Sequence, residues 1–92
     1  MSGKTPYPPC VIYPQCQSRE CCSAGHKYIW PNVVGMDHFE AKAIIERDNP
    51  LATVVFVAKD GATIDNFCCN RVYVFVDEHL KVSSEPALPM VG

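Results

Sequence analysis

The chain has 92 residues, of which 48% are hydrophobic and 20% are charged, a composition typical of a globular protein rather than a disordered or membrane protein. This length fits about one small domain and excludes a large enzyme. The net charge of −2 lacks the basic excess needed to bind phosphate backbones, and no run of about 18 apolar residues occurs, so neither nucleic acid nor a membrane is an expected partner.

Prolines and cysteines concentrate in residues 1–29, which we interpret as a Cys/Pro-rich N-terminal extension. Because proline blocks helices and central strands, the chain up to about Tyr28 is predicted to be loop. Residues 1–9 lack the charged-then-apolar layout of a secretory signal, whereas the cysteine usage favours an extracellular or vacuolar location. Four of the six cysteines lie in this extension: Cys10, Cys16, Cys21 and Cys22.

A helix is predicted over residues 37–48. Asp37 and Glu40 have the spacing of a capping box, in which the first side chain accepts from a free backbone N–H and the second reaches back. The Asn49-Pro50 pair is expected to end the helix. One apolar face of this helix would carry Ala41, Ile44 and Ile45.

Two short runs rich in β-branched residues, 53–57 and 71–76, are predicted to be strands. The first is nearly all apolar and is expected to be covered on both faces or nearly so. In the second, Val72, Val74 and Val76 share one face, the residues between them share the other, and the helix can cover one face of the pair. Residues 86–92 are predicted to add a short edge strand.

The connection between the two strands, residues 58–70, has about thirteen positions and no periodic segment. Loops of this length in small domains are usually functional or disordered. Its central stretch, residues 62–67, contains neither glycine nor proline and has the character of an extended ligand for a partner's cleft. A plain surface loop is the alternative.

The cysteines raise the question of a metal site. Structural zinc ligands usually form two tight pairs, whereas the four N-terminal cysteines are separated by five, four and zero residues. Disulfides are therefore favoured over zinc, with free buried thiols as a further alternative. Because neighbouring cysteines rarely bond to each other, the Cys21-Cys22 and Cys68-Cys69 pairs are each expected to reach two different places.

A Cys/His enzyme would need a cysteine beside a base that a third group orients. His26 lies in the extension, His38 in the first helical turn and His79 after a strand, and all three are interpreted as surface residues. The chain is not expected to be an enzyme, and no cofactor or metal is predicted.

Several motifs occur together in one order: residues 30–35 (WPNVVG), 40–45 (EAKAII), 49–50 (NP), 70–77 (NRVYVFVD) and 91–92 (VG). Together they resemble the potato inhibitor I family of serine protease inhibitors. The resemblance covers residues 30–92, which we interpret as one domain, and leaves the extension of residues 1–29 outside it.

The resemblance implies an α+β fold, in which one helix packs on a small mixed sheet and a long exposed binding loop joins two parallel main strands. It also implies that this loop binds serine proteases as a substrate does, and we expect a monomer. A loop already held in an extended shape loses little entropy on binding. The resemblance assigns protease binding to Ala62, Thr63, Ile64, Asp65, Asn66 and Phe67.

The reactive bond depends on the alignment with the family. Counting back from Arg71 places Asp65 in the specificity pocket of the protease and makes Asp65–Asn66 the reactive bond, although the stretch from Gly61 is then shorter than usual. The alternative matches Thr63, Ile64 and Asp65 to the family's Thr-apolar-acid sequence and makes Ile64–Asp65 the reactive bond, at the cost of gaps on both sides. An ionised Asp65 would favour subtilisin-like or acid-specific proteases and disfavour trypsin-like ones.

In the family, two basic side chains on the strand after the loop brace it from below. Arg71 matches the first and can donate forked hydrogen bonds, whereas Tyr73 stands at the second position. Some members tie the end of the loop to an N-terminal cysteine. Cys69 stands at the matching position, and Cys22 or Cys21 is its expected partner.

The sequence therefore indicates a reversible, substrate-like inhibitor of serine endopeptidases. The alternative is a non-inhibitory binding or structural module of the same fold, with an N-terminal segment stabilised by disulfides or a metal.

Overall fold

The computed structural model describes residues 10–63 and 66–92. Within these residues no helix has the length and apolar character needed to cross a bilayer. The elements, in chain order, are helix α1 (Arg19–Cys22), a 3-10 turn (Pro31–Val33), helix α2 (His38–Asp48) and strands β1 (Thr53–Ala58), β2 (Arg71–Val76) and β3 (Met90–Val91).

Helix α2 confirms the predicted helix. The Asp37 side chain accepts hydrogen bonds from the backbone N–H groups of Phe39 and Glu40, at 3.0 and 3.2 Å, and so caps the first turn. At the other end, the backbone N–H of Asn49 donates to the Ile45 carbonyl, and Pro50 prevents continuation. Local capping chemistry therefore fixes both ends of this helix.

The three strands form one mixed sheet in the order β1-β2-β3. Strands β1 and β2 are parallel, with Thr53 opposite Arg71, and β3 is antiparallel to β2, with Val91 opposite Val72. The predicted mixed sheet, with two parallel main strands joined by a long loop, is confirmed, and the C-terminal residues do add an edge strand.

The core lies between α2 and one face of the sheet. Trp30 is fully buried there, and its indole N–H donates to the Asp48 carboxylate at 3.1 Å. Burial acts to raise the pKa of Asp48, but hydrogen bonds from Trp30 and Arg47 outweigh this effect and leave that pKa below its ordinary value of 3.8. The cluster around Trp30 includes Ala41, Ile45, Val72, Val74 and Val91.

Strand β1 departs from its prediction. Only Val54 is buried in this strand, and the other five residues are half-buried or exposed, because β1 lies at the edge of the sheet and helix α2 packs on one of its faces. The outward backbone N–H of Val54 is nevertheless bonded. It donates to the Glu46 carboxylate of α2 at 2.9 Å, and Lys42 donates to the other oxygen of that carboxylate at 2.7 Å.

Two further expectations are wrong. Residues 19–22 of the extension form helix α1 instead of loop, because the Ser18 hydroxyl accepts from the backbone N–H of Cys21 and caps a first turn. His38 is 9% exposed and not a surface residue. Its ring stacks on Phe39 at 4.0 Å and lies 4.9 Å from the ring of Phe56, so apolar contacts from β1 bury it.

Candidate functional site

Described residues of the long loop lie over the face of the sheet that α2 leaves uncovered. Its residues Thr63 and Asn66 enclose, with Arg71, Tyr73 and Phe75 of β2, a cavity of about 220 Å³. Because side chains alternate along a strand, these three β2 side chains point away from the core formed by Val72 and its neighbours. We call residues 59–63 the leading segment of the loop and residues 66–70 its trailing segment.

Arg71 holds the trailing segment from below. Its side chain is almost fully buried, with the residue 3% exposed. The two terminal nitrogens donate to Asn66, one to the side-chain oxygen at 2.8 Å and one to the backbone carbonyl, while Nε donates to the Gly92 carbonyl at 2.8 Å. Bonds from a charged donor are stronger than neutral ones, so this guanidinium fixes the backbone of Asn66 to the sheet and to the end of β3.

The ring of Tyr73 lies against Arg71. The guanidinium carbon of Arg71 lies 4.3 Å from the centroid of the Tyr73 ring, which is a cation–π contact. The aromatic ring therefore orients the arginine whose hydrogen bonds reach the loop.

Two disulfides anchor the trailing segment, and the predicted disulfides are confirmed. Cys22, one of the two partners expected for Cys69, is bonded to it, and a second bond joins Cys10 to Cys68. A third disulfide closes a short loop between Cys16 and Cys21. All six cysteines are thus paired, which removes the thiolate that a cysteine nucleophile would need.

The N-terminal residues next to these disulfides also bind the trailing segment. The Val11 carbonyl accepts from the backbone N–H of Cys69 at 2.7 Å, and the Val11 N–H donates to the Asn70 side chain at 3.0 Å. The backbone carbonyl of Asn70 accepts from the N–H of Thr53 at the start of β1. Each residue from Cys68 to Asn70 is therefore tied to another part of the chain.

Among the contacts between described residues, fewer hold the leading segment. The Lys59 N–H donates to the Val76 carbonyl at 3.0 Å, and the Gly61 N–H donates to the Ala58 carbonyl at 2.7 Å, which closes a tight turn after β1. Ala62 and Thr63 are exposed. The two segments thus differ in how firmly the fold holds them.

The residues assigned to the loop from the sequence fall on both segments. Ala62 and Thr63 lie in the leading segment, and Asn66 and Phe67 lie in the trailing one, while Ile64 and Asp65 lie outside the described residues. Both candidate reactive bonds include Asp65, so their geometry also lies outside that part of the chain.

Three contributors to the site were missed from the sequence: Gly92, Val11 and Asn70. The first two act through backbone carbonyl and N–H groups, for which the side-chain pattern carries no signal. Asn70 had a signal in its position between Cys69 and Arg71 and in the motif of residues 70–77, but neither indicated its bond to Val11. In residues 10–63 and 66–92, no three His, Cys, Asp or Glu side chains are grouped as metal ligands.

A profile of the potato inhibitor I family matches residues 22–92. The chain is 40% identical over 62 residues to the Glu S. griseus protease inhibitor of Momordica charantia, covering 67% of this chain and 91% of that protein. It is 38% identical over 71 residues to the subtilisin-chymotrypsin inhibitor CI-1C of Hordeum vulgare, covering 77% of this chain and 92% of that protein.

Solved structures give the same result for the fold. The crystal structure of the bitter gourd trypsin inhibitor superimposes with a TM-score of 0.68 at 36% identity, over 73% of this chain and 94% of that one. The solution structure of recombinant trypsin inhibitor V from Cucurbita maxima gives a TM-score of 0.61 at 35% identity, over 77% of this chain and 99% of that one.

Proposed function

This chain belongs to the potato inhibitor I family, and from that membership we propose that it is a reversible, substrate-like inhibitor of serine endopeptidases. Proteins of this family are protease inhibitors and not enzymes, and its relatives carry names such as subtilisin-chymotrypsin inhibitor. The protease-binding loop comprises Ala62, Thr63, Ile64, Asp65, Asn66 and Phe67, with Arg71 and Tyr73 as its support.

The observation that carries this proposal is the pair of hydrogen bonds from Arg71 to Asn66. Arg71 is buried, and it bonds both the backbone and the side chain of Asn66. Those two bonds restrict the backbone where a protease would have to accept it in extended form, so little conformational entropy remains to be lost on binding. Rigidity of the loop, rather than contact area alone, then supplies the affinity.

The same anchoring explains how an inhibitor survives attack by its protease. Cleavage at either candidate bond would leave the new amino terminus on Asn66, the first residue of the trailing segment, or on Asp65 just before it. Arg71 and the disulfides of Cys68 and Cys69 would keep that amine next to the acyl-enzyme. Religation would therefore compete with hydrolysis, because the two reacting groups stay at a high effective concentration.

We propose Asp65–Asn66 as the reactive bond and Asp65 as the residue in the specificity pocket. A carboxylate there would be accepted by a basic or water-filled pocket and rejected by an acidic one. Subtilisin-like and acid-specific proteases are therefore the proposed targets. The name of the relative from Momordica charantia, an inhibitor of the Glu S. griseus protease, supports the second of these.

The test is titration of the protein against purified subtilisin and the Glu S. griseus protease, followed by mapping of the bond cut by a stoichiometric amount of the inhibited enzyme. We expect tight inhibition of at least one enzyme and a single nick after Asp65. A nick after Ile64 would move the reactive bond to the alternative register. Rapid cleavage at several bonds without inhibition would support the non-inhibitory module instead.

A further inference from the structure

Residues 10–17, which we call the N-terminal segment, run beside the trailing segment of the loop. The Cys10–Cys68 disulfide and the two hydrogen bonds of Val11, to Cys69 and to Asn70, hold the two segments together. The backbone N–H of Cys16 donates to the carbonyl of Tyr13 at 2.9 Å and folds the segment into a turn. This part of the extension is thus a fixed part of the loop's surroundings.

The N-terminal segment presents apolar side chains to solvent. Ile12 is 62% exposed and Tyr13 is 40% exposed, and residues 10–17 contain no charged side chain. Exposed apolar groups that lie next to each other mark interaction sites more often than isolated ones do. Together with the loop residue Phe67, they form an open groove of about 310 Å³, whose other lining residues are Pro14, Cys16 and Gln17.

Phe67 connects this groove to the binding loop. Both candidate reactive bonds precede Asn66, so Phe67 follows the bond on the side of the leaving group whichever register holds. A protease bound at either bond would therefore place its leaving-group subsites close to Phe67, whose side chain is half-buried. Protease–inhibitor interfaces commonly bury about 800 Å² on each partner, which is more than a loop of six residues offers, so neighbouring residues must contribute.

We propose that the N-terminal segment is a second protease-binding surface, which contacts an apolar, uncharged rim of the enzyme beside its leaving-group subsites. This inference rests on the proposed function and adds to it a partner surface for Ile12 and Tyr13. Because a disulfide and hydrogen bonds already fix the segment, its side chains would bind with little loss of entropy. The extension would then contribute to the choice of protease as well as to the stability of the loop.

The test compares Ile12→Ser, Tyr13→Ser and the double variant with the unaltered protein against subtilisin and the Glu S. griseus protease. We expect the double variant to raise the inhibition constant for the inhibited enzyme about tenfold, mainly through faster dissociation. Ile12→Leu, which keeps the apolar side chain, should inhibit as the unaltered protein does. The matched control is Leu80→Ser, because Leu80 is 55% exposed and its carbonyl accepts from His38 in the first turn of α2, across the sheet from the loop.

A second measurement uses the unaltered protein in its complex. Backbone amides of residues 12–17 should exchange with solvent more slowly when the protease is bound, while those around Leu80 should not change. If the unaltered protein inhibits but the double variant and Leu80→Ser inhibit equally well, the second surface is refuted and the proposed function stands. The same conclusion follows if the unaltered protein inhibits and exchange in residues 12–17 does not slow. If the unaltered protein inhibits neither enzyme, both proposals fail.

Discussion

The leading and trailing segments belong to one loop but are built differently. The leading segment is held by backbone bonds close to β1, such as that from Gly61 to Ala58, and leaves Ala62 and Thr63 exposed. The trailing segment is tied to the sheet by Arg71 and to the extension by two disulfides. The fold therefore concentrates its cross-links on the side of the loop that would carry the leaving group.

This difference indicates where rigidity matters for the proposed inhibition. In a substrate the piece after the cleaved bond diffuses away, and an inhibitor must prevent this loss. An acyl group on the other side stays bound to the enzyme by a covalent bond and needs less support from the inhibitor's own fold. Changes in the trailing segment should accordingly weaken inhibition more than changes in the leading one.

The largest effect should come from removing a long-range disulfide. Replacing both Cys22 and Cys69 by Ala opens a link across 47 residues of sequence, but Cys10–Cys68 stays closed, so the loop that is released has about 15 residues and the chain-entropy relation values it at about 3 kcal/mol. Cys16 and Cys21 span 5 residues, which corresponds to about 2 kcal/mol. Urea unfolding without reductant should show the first pair losing about one and a half times as much free energy of unfolding as the second. Equal losses would show that the link to the trailing segment stabilises the protein no more than a local disulfide does.

The next effect should come from Arg71→Met, which removes the three hydrogen bonds of the guanidinium to Asn66 and Gly92. We expect a loss of about 3 kcal/mol of binding free energy, or roughly a 100-fold higher inhibition constant. Arg47→Met is the control, because the Arg47 side chain is 73% exposed and bonds the adjacent Asp48. A similar increase for both variants would show that charge, not bracing, matters.

A smaller effect, on the stability of the domain and not on the rigidity of the loop, is expected from a change at Asp48. The pKa of Asp48 is lowered in the folded state, so its stabilising contribution is complete above the ordinary value of 3.8 and is lost as the pH falls below that value. Asp48→Asn should lower the free energy of unfolding by about 1 kcal/mol at pH 7 and flatten its decline in acid. The inhibition constant at pH 7 should stay the same, and a change in it would link the two properties.

The smallest effect is expected in the leading segment. A methyl group at Gly61 would lie 3.1 Å from both the Ala58 carbonyl oxygen and a Val57 methyl group. These contacts are closer than ordinary van der Waals packing, and a shift of a few tenths of an ångström would relieve them. The lower entropy of an unfolded alanine offsets the crowding, so Gly61→Ala should change stability by less than about 0.5 kcal/mol and inhibition by less than about threefold. A change as large as that of Arg71→Met would contradict the proposed difference between the segments.

The sequence predicted those parts of the fold that local chemistry determines. Asp37, as a capping residue, indicated where the helix begins, and Asn49, before Pro50, indicated where it ends. Two β-branched runs located the parallel strands. The burial of His38 could not be inferred, because it depends on Phe56 from a different element.

The candidate site was predictable only in part, for a related reason. The positions of Arg71 and Cys69 followed from a family resemblance, but the acceptors that Arg71 finds on Asn66 and Gly92 depend on how the chain ends meet in space. Helix α1 was missed although Ser18 stood in the capping position, since the prolines that precede it in the extension outweighed that single signal. Contacts between distant backbone groups leave no pattern in the order of side chains.

The bond from the Val54 N–H to Glu46 has a consequence for the protein at high concentration. An edge strand such as β1 offers unpaired amides to any other extended chain, which is a common start of edge-to-edge aggregation. The Glu46 carboxylate accepts the hydrogen bond of the Val54 amide at the buried residue of that edge, and Lys42 balances the charge of the carboxylate. The carboxylate from helix α2 thereby leaves the Val54 amide unavailable to an added strand.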